Sequence, residues 1–336
     1  MTTQTKNYKA RLILVDGLAG SGKSTAAQRL WLHFMSHGYD ASWFHEHQLD
    51  HPIFFYDDVD ELLRLQPDAF EDRIVASWDQ FARDADAQPI RILEGSFFQI
   101  TVGVMLSMNV RAQRIRKALF QIARMVNRLN PCLIYLFHQD TREGVLRIRN
   151  HRGDYWLNGM TRLLAQSPYG RQHRVQDVEG LVQFYGKQRL IVDSVFSRLT
   201  FKKQAIDISG GRWASYYRRM AALLKIGKLK PLDLPERQLM RCVGTYKGRT
   251  TGSECVISTD ANSLYFHRSG AEAEKLMPVG TGTFSLRGLP IDLRFAYDGG
   301  GIARSMTFDT KLSDRRITDT VWTRILRERL RQRANL

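Results

Sequence analysis

The stretch RLILVDGLAGSGKST, residues 11–25, carries the clearest signal of the fold class. Its first part, RLILVD (11–16), is short and mostly apolar and runs into Gly17, as a buried strand does where it enters a loop. From about Ser24 to His37 apolar residues recur at helical spacing, and Gly38 ends the pattern. A strand, a glycine-rich loop and a helix in this order predict the start of an α/β domain.

The loop in this stretch matches the pattern GxxxxGK[ST]. In such a loop, glycines let backbone N–H groups approach a polyphosphate closely, and the following helix adds its positive end. Lys23 would place a charge on the β- and γ-phosphates, and Ser24 would offer its hydroxyl to Mg²⁺. We therefore expect a nucleoside triphosphate, ATP or GTP, to bind here with Mg²⁺. The expected phosphate-binding residues are Gly17, Leu18, Ala19, Gly20, Ser21, Gly22, Lys23, Ser24 and Thr25.

Further apolar runs alternate with helical patterns up to about residue 225. The runs are ASWF (41–44), IRIL (90–93), CLIYLF (132–137) and KKQAIDI (202–208). Helical patterns occupy 57–66, 68–85, 109–129, 141–149, 155–165, 178–199 and 213–225. Because strands joined by helices lie parallel, this order predicts a doubly wound parallel sheet with helices on both faces.

The character of the sequence changes after KIGKLKPLDLPE (225–236), a proline-containing and charged linker. Short alternating segments between turn residues then predict an antiparallel β-meander or small barrel of about seven strands. The pattern of ITDTVWTRILRERLRQR (317–333) predicts a C-terminal amphipathic helix. The predicted organisation is an α/β domain over 1–228, a small β-domain over 238–312 and a helix over 317–333.

Composition indicates an ordinary globular protein, with 43% hydrophobic and 25% charged residues in 336. The net charge of +16 attracts anions, which leaves phosphorylated ligands, nucleic acid and acidic partners open. We find no recognisable nucleic-acid reader module, so we interpret the arginine stripes as solvated surface. Apolar runs of roughly 20 residues and a signal peptide are both absent, which predicts a cytosolic protein with no membrane association. The three cysteines lack metal or disulfide spacing and are expected to be packing residues.

The first 225 residues resemble a P-loop kinase of the nucleoside and nucleotide, or thymidylate-like, kinase group. The segments that carry the resemblance are DGLAGSGKST (16–25), HEHQLDHP (45–52), LEGSFFQ (93–99) and LFHQDTREGVLRIRNHRG (136–153). Each lies at the carboxyl end of a predicted strand, where open α/β sheets build their sites. The segment also resembles bacterial proteins described only as P-loop or thymidylate-kinase-like ATPases. The kinase resemblance implies transfer of the γ-phosphate of Mg·ATP to a hydroxyl or phosphate of a small acceptor.

Three acids are candidates for roles in this chemistry. Glu46 stands where the similar deoxynucleoside kinases carry the acid that accepts the proton of the acceptor hydroxyl, and we interpret it as the base. Glu94 directly follows a predicted strand, and we interpret it as the carboxylate on the metal side, beside Ser24; the reverse assignment, or a loop-capping role, stays open. Asp16 precedes the loop at a position that is acidic in many such kinases. The family's arginine after the third strand's acid is Gly95 here, which leaves nucleoside specificity open.

Arg147, Arg149 and Arg152 resemble the lid arginines that close over the transferring phosphate and stabilise its charge. Residues two apart on a helix face different sides, so not all three can reach the phosphates; a solvated basic helix is the alternative. Gly153 suits a hinge. Tyr155 and Trp156 could stack on a base or pack in the fold.

A metal site formed by His45, His47 and His51 with Glu46 and Asp50 is a minor alternative interpretation of the segment after the second predicted strand.

Residues 239–310 resemble the small lipocalin-like β-domain found at the C-terminus of beta-lactamase-related serine hydrolases. The resemblance is carried by GTYKG (244–248), LYFHR (264–268), KLMPVGTGTFSLRG (275–288) and SMTFDT (305–310). It implies no catalytic residues. The resemblance leaves open whether this domain shapes the acceptor pocket, mediates dimerisation or does neither.

The leading hypothesis is an ATP-dependent kinase for a nucleoside, a nucleotide or another hydroxylated metabolite or antibiotic. Lys23, Glu46, Glu94, Arg147, Arg149 and Arg152 are its candidate catalytic residues. One alternative is a P-loop NTPase that regulates a protein partner, and another is a polynucleotide kinase acting on 5′-hydroxyl ends. The identity of the acceptor, the choice between ATP and GTP and the oligomeric state stay open.

Overall fold

The computed structural model describes residues 8–55, 65–84, 89–229, 232–260, 262–268, 272–312 and 320–325. Contacts divide the chain into two units, Met1–Leu229 and Lys230–Leu336. Within the described ranges, none of the helices is both long enough and apolar enough to cross a membrane.

The first unit is built on a five-stranded parallel sheet in the order β2-β3-β1-β4-β5. Its strands are β1 (Leu12–Gly17), β2 (Ala41–Phe44), β3 (Ile90–Glu94), β4 (Cys132–Phe137) and β5 (Lys202–Asp207). Its helices are α1 (Lys23–Ser36), α2 (Pro67–Asp84), α3 (Thr101–Ser107), α4 (Ala112–Val126), α5 (Thr141–Gln166), α6 (Pro168–His173), α7 (Val178–Arg198) and α8 (Trp213–Leu224). A π-helical turn, Ser96–Ile100, precedes α3. The predicted parallel sheet is confirmed.

Both faces of this sheet are covered. Successive side chains of a strand point to opposite faces, and in β1 Leu12 and Leu14 belong to one apolar cluster while Ile13 and Val15 belong to another. Helices α2 to α5 and α7 contribute to the first cluster, and α1 and α8 to the second. The fully apolar run of β1 is therefore explained by burial on both sides.

Two details of the helices bear on the sequence prediction. Helix α5 spans both predicted segments, 141–149 and 155–165, and is kinked between them at Gly153, which has non-helical φ 77° and ψ 174°. The helix predicted over 57–66 falls almost wholly on residues outside the described ranges. Pro67 is the first residue of α2, where its missing N–H costs no hydrogen bond.

The second unit contains a closed antiparallel barrel in the order β10-β11-β12-β13-β6-β7-β8-β9. A short helix, α9 (Glu236–Met240), comes before it. The strands are β6 (Gly244–Gly248), β7 (Glu254–Thr259), β8 (Leu264–Arg268), β9 (Glu274–Gly280), β10 (Thr283–Leu286), β11 (Ile291–Tyr297), β12 (Ala303–Thr310) and β13 (Val321–Arg324). Large side chains such as Tyr246, Phe284 and Leu293 are fully buried in its apolar core. The resemblance to lipocalin-like domains agrees with an antiparallel barrel and otherwise stays an interpretation.

The C-terminal helix predicted over 317–333 is wrong for the part that the structure describes. Val321–Arg324 is the eighth strand of the barrel, pairing with β12 through Met306 and with β6 through Gly248. Trp322 is 6% exposed and packs in the barrel core. Without β13, the facing edges of β6 and β12 would keep unpaired backbone groups, so strand pairing outweighs the local helical pattern.

Candidate active site

The glycine-rich loop (residues 17–25) connects β1 to α1 in a conformation that requires glycine. Gly20 and Gly22 have φ of 72° and 75°. A Cβ atom on Gly20 would lie 2.0 Å from Cγ1 of Ile148 in α5, and one on Gly22 would lie 2.4 Å from the ring of Trp213 in α8. The loop is therefore packed tightly between two helices, with no room for larger residues at these positions.

The start of α1 is open to an anion. Gly22 is the N-cap residue, and within the described chain no side chain caps the helix and no acidic residue occupies its first turn. The first N–H groups of a helix have no partners inside the helix, and the helix dipole makes this end positive. The geometry suits a phosphate group held by backbone N–H groups.

Lys23, the first residue of α1, lies between two carboxylates. Its Nζ is 3.6 Å from Oε2 of Glu46 and 3.5 Å from Oε1 of Glu94. The three side chains are almost completely buried, at 4%, 8% and 0% exposure. Glu46 follows β2 and Glu94 ends β3, and because β2, β3 and β1 are neighbours in the sheet, their carboxyl ends bring these groups together.

The two carboxyl groups have opposite shifts of pKa. Burial is the largest single effect on Glu46 and would raise its pKa, but the charges of Lys23, His47, His45 and Arg152 together outweigh burial and lower this pKa to about 2. Burial, together with the nearby charge of Glu46, raises the pKa of Glu94 to about 7. Burial lowers the pKa of Lys23, but the two carboxylates more than offset it and leave this pKa raised.

Ser24 and Glu94 form a set of oxygen atoms suited to a hard cation. The Ser24 hydroxyl donates to Oε1 of Glu94 at 3.0 Å, whereas Oε2 of Glu94 is buried and has no hydrogen-bond partner among the described residues. Mg²⁺ prefers hydroxyl, carboxylate and water oxygens. The orphaned carboxylate oxygen therefore fits the metal site predicted for Ser24 and Glu94.

The histidines near Glu46 are held by local hydrogen bonds. His45 accepts from the N–H of His47 through Nδ1, and its Nε2 lies 3.7 Å from Oε2 of Glu94. His51 accepts from the N–H of Ile53, has its Nε2 3.1 Å from the Ser96 hydroxyl and stacks on Phe54. Burial lowers the pKa of His45 to about 4 and that of His51 to about 3. Over the described residues, no group of three ligands could hold a metal ion, so the histidine cluster gains no support.

Asp16 holds the backbone of the segment after β3. Its carboxylate accepts hydrogen bonds from the N–H groups of Gly17, Phe97, Phe98 and Gln99, at 2.7 to 3.0 Å. The residue is 1% exposed, and burial raises its pKa to about 6 against the lowering effect of these hydrogen bonds. Of the three candidate acids, Asp16 is thus the one committed to positioning the turn that follows Glu94.

Gln99 lies on that turn and contacts Glu46. Its side-chain Nε2 donates to Oε2 of Glu46 at 2.6 Å. The backbone carbonyl of Gln99 accepts from Nε2 of Gln188, a buried residue of α7, at 2.9 Å. Gln99 is part of the quoted segment LEGSFFQ, but no spacing rule places its side chain on Glu46. Gln188 is 89 residues away, and a single sequence carries no signal for that contact.

The structure separates the three candidate arginines of α5. Arg147 donates to Glu143 at 2.6 Å and to the carbonyl of Ser209. Arg149 pairs with Asp154 on the exposed side of the helix. The charge of Arg152 acts on Lys23, Glu46 and His45, and its guanidinium lies 5.6 Å from the Trp156 ring centre. Arg152 is thus the one of the three that the structure brings electrostatically to the glutamate and lysine cluster.

The two aromatic residues predicted to stack or pack behave differently. Trp156 packs against the apolar core of the first unit. Tyr155 is 90% exposed. Of the two predicted roles, packing in the fold therefore applies to Trp156.

Comparison with known proteins adds little about the reaction. No protein-family model matches the chain, and no curated protein matches it. Thirty-nine chains of solved structures match it. One of them is a deoxyadenosine kinase from M. mycoides with bound dATP, with 14% sequence identity and a TM-score of 0.36, covering 62% of this chain and 98% of that chain.

Proposed function

We propose that the first unit is an ATP-dependent kinase that transfers the γ-phosphate of Mg·ATP to a hydroxyl or phosphate group of a small acceptor. The observation that carries the proposal is Lys23, buried between Glu46 and Glu94 at the uncapped start of α1. Phosphoryl transfer requires cations around the phosphates and a carboxylate at the acceptor, and this cluster supplies both.

The roles follow from position. The N–H groups at the start of α1 and the glycine-rich loop bind the phosphates, and Lys23 leaves its carboxylate partners to contact them. Ser24 and Glu94 would hold Mg²⁺, which would neutralise phosphate charge when bound. Arg152, whose charge already acts on this cluster, approaches the transferring group from α5.

Glu46 acts at the acceptor. In the transfer to a hydroxyl, the acceptor oxygen forms a bond to the γ-phosphorus, and the bond from that phosphorus to the β–γ bridging oxygen breaks to release ADP. The hydroxyl proton moves to a carboxylate oxygen of Glu46. Gln99 and His47 lie within reach of the two oxygens of Glu46 and hold this carboxylate in place.

The experiment is ADP release from Mg·ATP by the full chain, with nucleosides, nucleoside monophosphates, aminoglycosides and a 5′-hydroxyl oligonucleotide as acceptors. Ser24→Ala and Glu46→Gln are the test variants, and Asp40→Asn, at an exposed position, is the control. We expect one class of compound to stimulate release and to gain the mass of one phosphate. Both test variants should lose this stimulation by 100-fold or more, on the order of removing a metal ligand or a general base.

Other results would point elsewhere. Slow hydrolysis that only a protein partner stimulates would favour the regulatory NTPase. Transfer to the oligonucleotide, with affinity falling steeply as salt rises, would favour the polynucleotide kinase. The absence of any ATP turnover in the wild-type chain would refute the proposal.

A further inference from the structure

The side-chain oxygen of Gln99 is a buried acceptor without a partner. Because a carboxylate only accepts, the carboxamide nitrogen of Gln99 is the atom that faces Oε2 of Glu46, at 2.6 Å. The other atom, Oε1, is buried and has no hydrogen-bond partner among the described residues. A buried carbonyl oxygen of this kind is rarely left unpaired in a native protein.

Gln99 is held through its backbone as well as through its carboxamide nitrogen. Its backbone N–H donates to Asp16 at 2.9 Å, and its backbone carbonyl accepts from Gln188 at 2.9 Å. Gln188 in turn packs against Gly103, where an added Cβ atom would lie 3.3 Å from the Gln188 nitrogen. The carboxamide is therefore held beside Glu46 before any ligand binds.

We propose that Gln99 is a specificity-determining residue of the acceptor site, whose Oε1 accepts a hydrogen bond from a second O–H or N–H group of the acceptor. The proposal rests on the proposed function, in which Glu46 receives the proton of the reacting hydroxyl. It deepens that function by naming the substrate class: a compound with two adjacent donors.

The spacing of the two protein acceptors sets this class. The oxygen and nitrogen of one carboxamide are about 2.2 Å apart by covalent geometry. With Nε2 at 2.6 Å from Glu46, Oε1 of Gln99 lies within about 5 Å of that carboxylate oxygen. Two donors at a similar spacing can bind both atoms together, and hydroxyl or amino groups one or two carbons apart in sugars, polyols and amino sugars have such a spacing.

The test compares pairs of compounds that differ by one donor. Four ribonucleosides and kanamycin B are each assayed beside their singly deoxygenated analogues, for kcat/KM of phosphate transfer and for Kd by calorimetry. The proteins are the wild type, Gln99→Met and the control Gln80→Met. Gln80 is an exposed residue of α2 whose side chain bonds to Asp84 and Arg83, both exposed, so its loss should not affect the site.

We expect the wild type and Gln80→Met to prefer one fully hydroxylated compound over its analogue by about 10- to 100-fold. In Gln99→Met this ratio should fall to within about 3-fold of one, because the group that reads the second donor is gone. An unchanged ratio, with both compounds weakened equally, would mean that Gln99 only positions Glu46 and would overturn the proposal.

The calorimetric arm separates this proposal from the kinase itself. Binding with the expected ratio but no transfer supports the role of Gln99 and refutes the kinase. No binding of any compound to the wild type overturns the role of Gln99, whatever the ATP turnover. Should Gln99→Met unfold too readily, Gln99→Asn provides the same comparison, because a shorter carboxamide keeps the chemistry but loses the reach.

Discussion

Replacing Asp16 by asparagine tests whether a buried carboxylate organises the candidate site. Oδ2 of Asp16 accepts from the N–H groups of Phe97 and Phe98 at 3.0 and 2.7 Å, and an amide nitrogen in its place would face two donors. Each buried N–H left unpaired costs about 1–3 kcal/mol, so the two cost about 2–6 kcal/mol. The variant should also lower kcat, because the turn that carries Gln99 loses its anchor.

An opposing effect depends on pH. The pKa of Asp16 is raised from 3.8 to about 6, chiefly by burial, so the contribution of this group to stability is largest below pH 3.8 and is lost as pH rises through 6. The difference of about 2.2 units between the folded and unfolded pKa of Asp16 corresponds to about 3 kcal/mol of stability, which the wild type loses as pH rises. Asparagine is neutral, so the variant does not undergo this loss. At pH 7.5 the variant should therefore be less stable than the wild type by at most about 3 kcal/mol.

At pH 5 the wild type has lost only about half of this contribution. The deficit of Asp16→Asn should consequently be larger at pH 5 than at pH 7.5 by about 1 kcal/mol. Urea unfolding followed by circular dichroism at the two pH values measures it, with Asp40→Asn at an exposed position as the control. A deficit that grows from pH 5 to pH 7.5 would refute the reasoning, because the charge of Asp16 would then be stabilising.

Three further changes have expected outcomes. Lys23→Met should lower the free energy of unfolding by about 3–5 kcal/mol, because two buried carboxylates lose their cation. Ser24→Ala should lower it by only about 1 kcal/mol. Urea unfolding measures both, and equal losses would contradict the buried cluster. Arg152→Ala should reduce kcat of acceptor-stimulated ADP release by more than about tenfold. Arg149→Ala removes an exposed ion pair and should leave this kcat within about twofold of the wild type. A larger decrease for Arg149→Ala than for Arg152→Ala would make Arg149 the lid arginine. Trp322→Ala should destabilise the second unit by about 3–5 kcal/mol, as expected for a buried tryptophan; a small loss in calorimetric unfolding would mean that the eighth strand does not close the barrel.

The first unit could be predicted from sequence because its signals are local. An apolar run followed by a glycine-rich pattern and a helix is readable within residues 11–37, and the same holds for the run 132–137. The eighth barrel strand could not be predicted, because its partners in β6 are more than 70 residues earlier, and pairing at that distance leaves no periodic pattern. The helical pattern around Val321–Arg324 was a real local preference that tertiary pairing overrode.

The candidate site shows the same division between local and distant signals. Lys23, Glu46 and Glu94 were predictable because each directly follows or begins an element at the same edge of a parallel sheet, so that position alone brings them together. The contact of Gln99 with Glu46 depends on a π-helical turn, whose extra residue shifts the direction of its side chains. Turns of this type have no sequence rule, so the carboxamide could be found only in the structure.

The proposed function also predicts how a nucleotide would bind at this cluster. Glu46 and Glu94 lie at almost equal distances from Lys23, and Glu46 also has His47 and Gln99. Glu94 has the Ser24 hydroxyl for one oxygen, whereas its other oxygen has His45 at 3.7 Å and no hydrogen-bond partner among the described residues. A polyphosphate that draws Lys23 away would leave both carboxylates facing further negative charge in a buried site. Like charges in such a place repel strongly unless a cation enters with the anion. The unpartnered oxygen of Glu94 is where that cation gains most, so we expect the polyphosphate and Mg²⁺ to bind as a pair rather than the nucleotide alone.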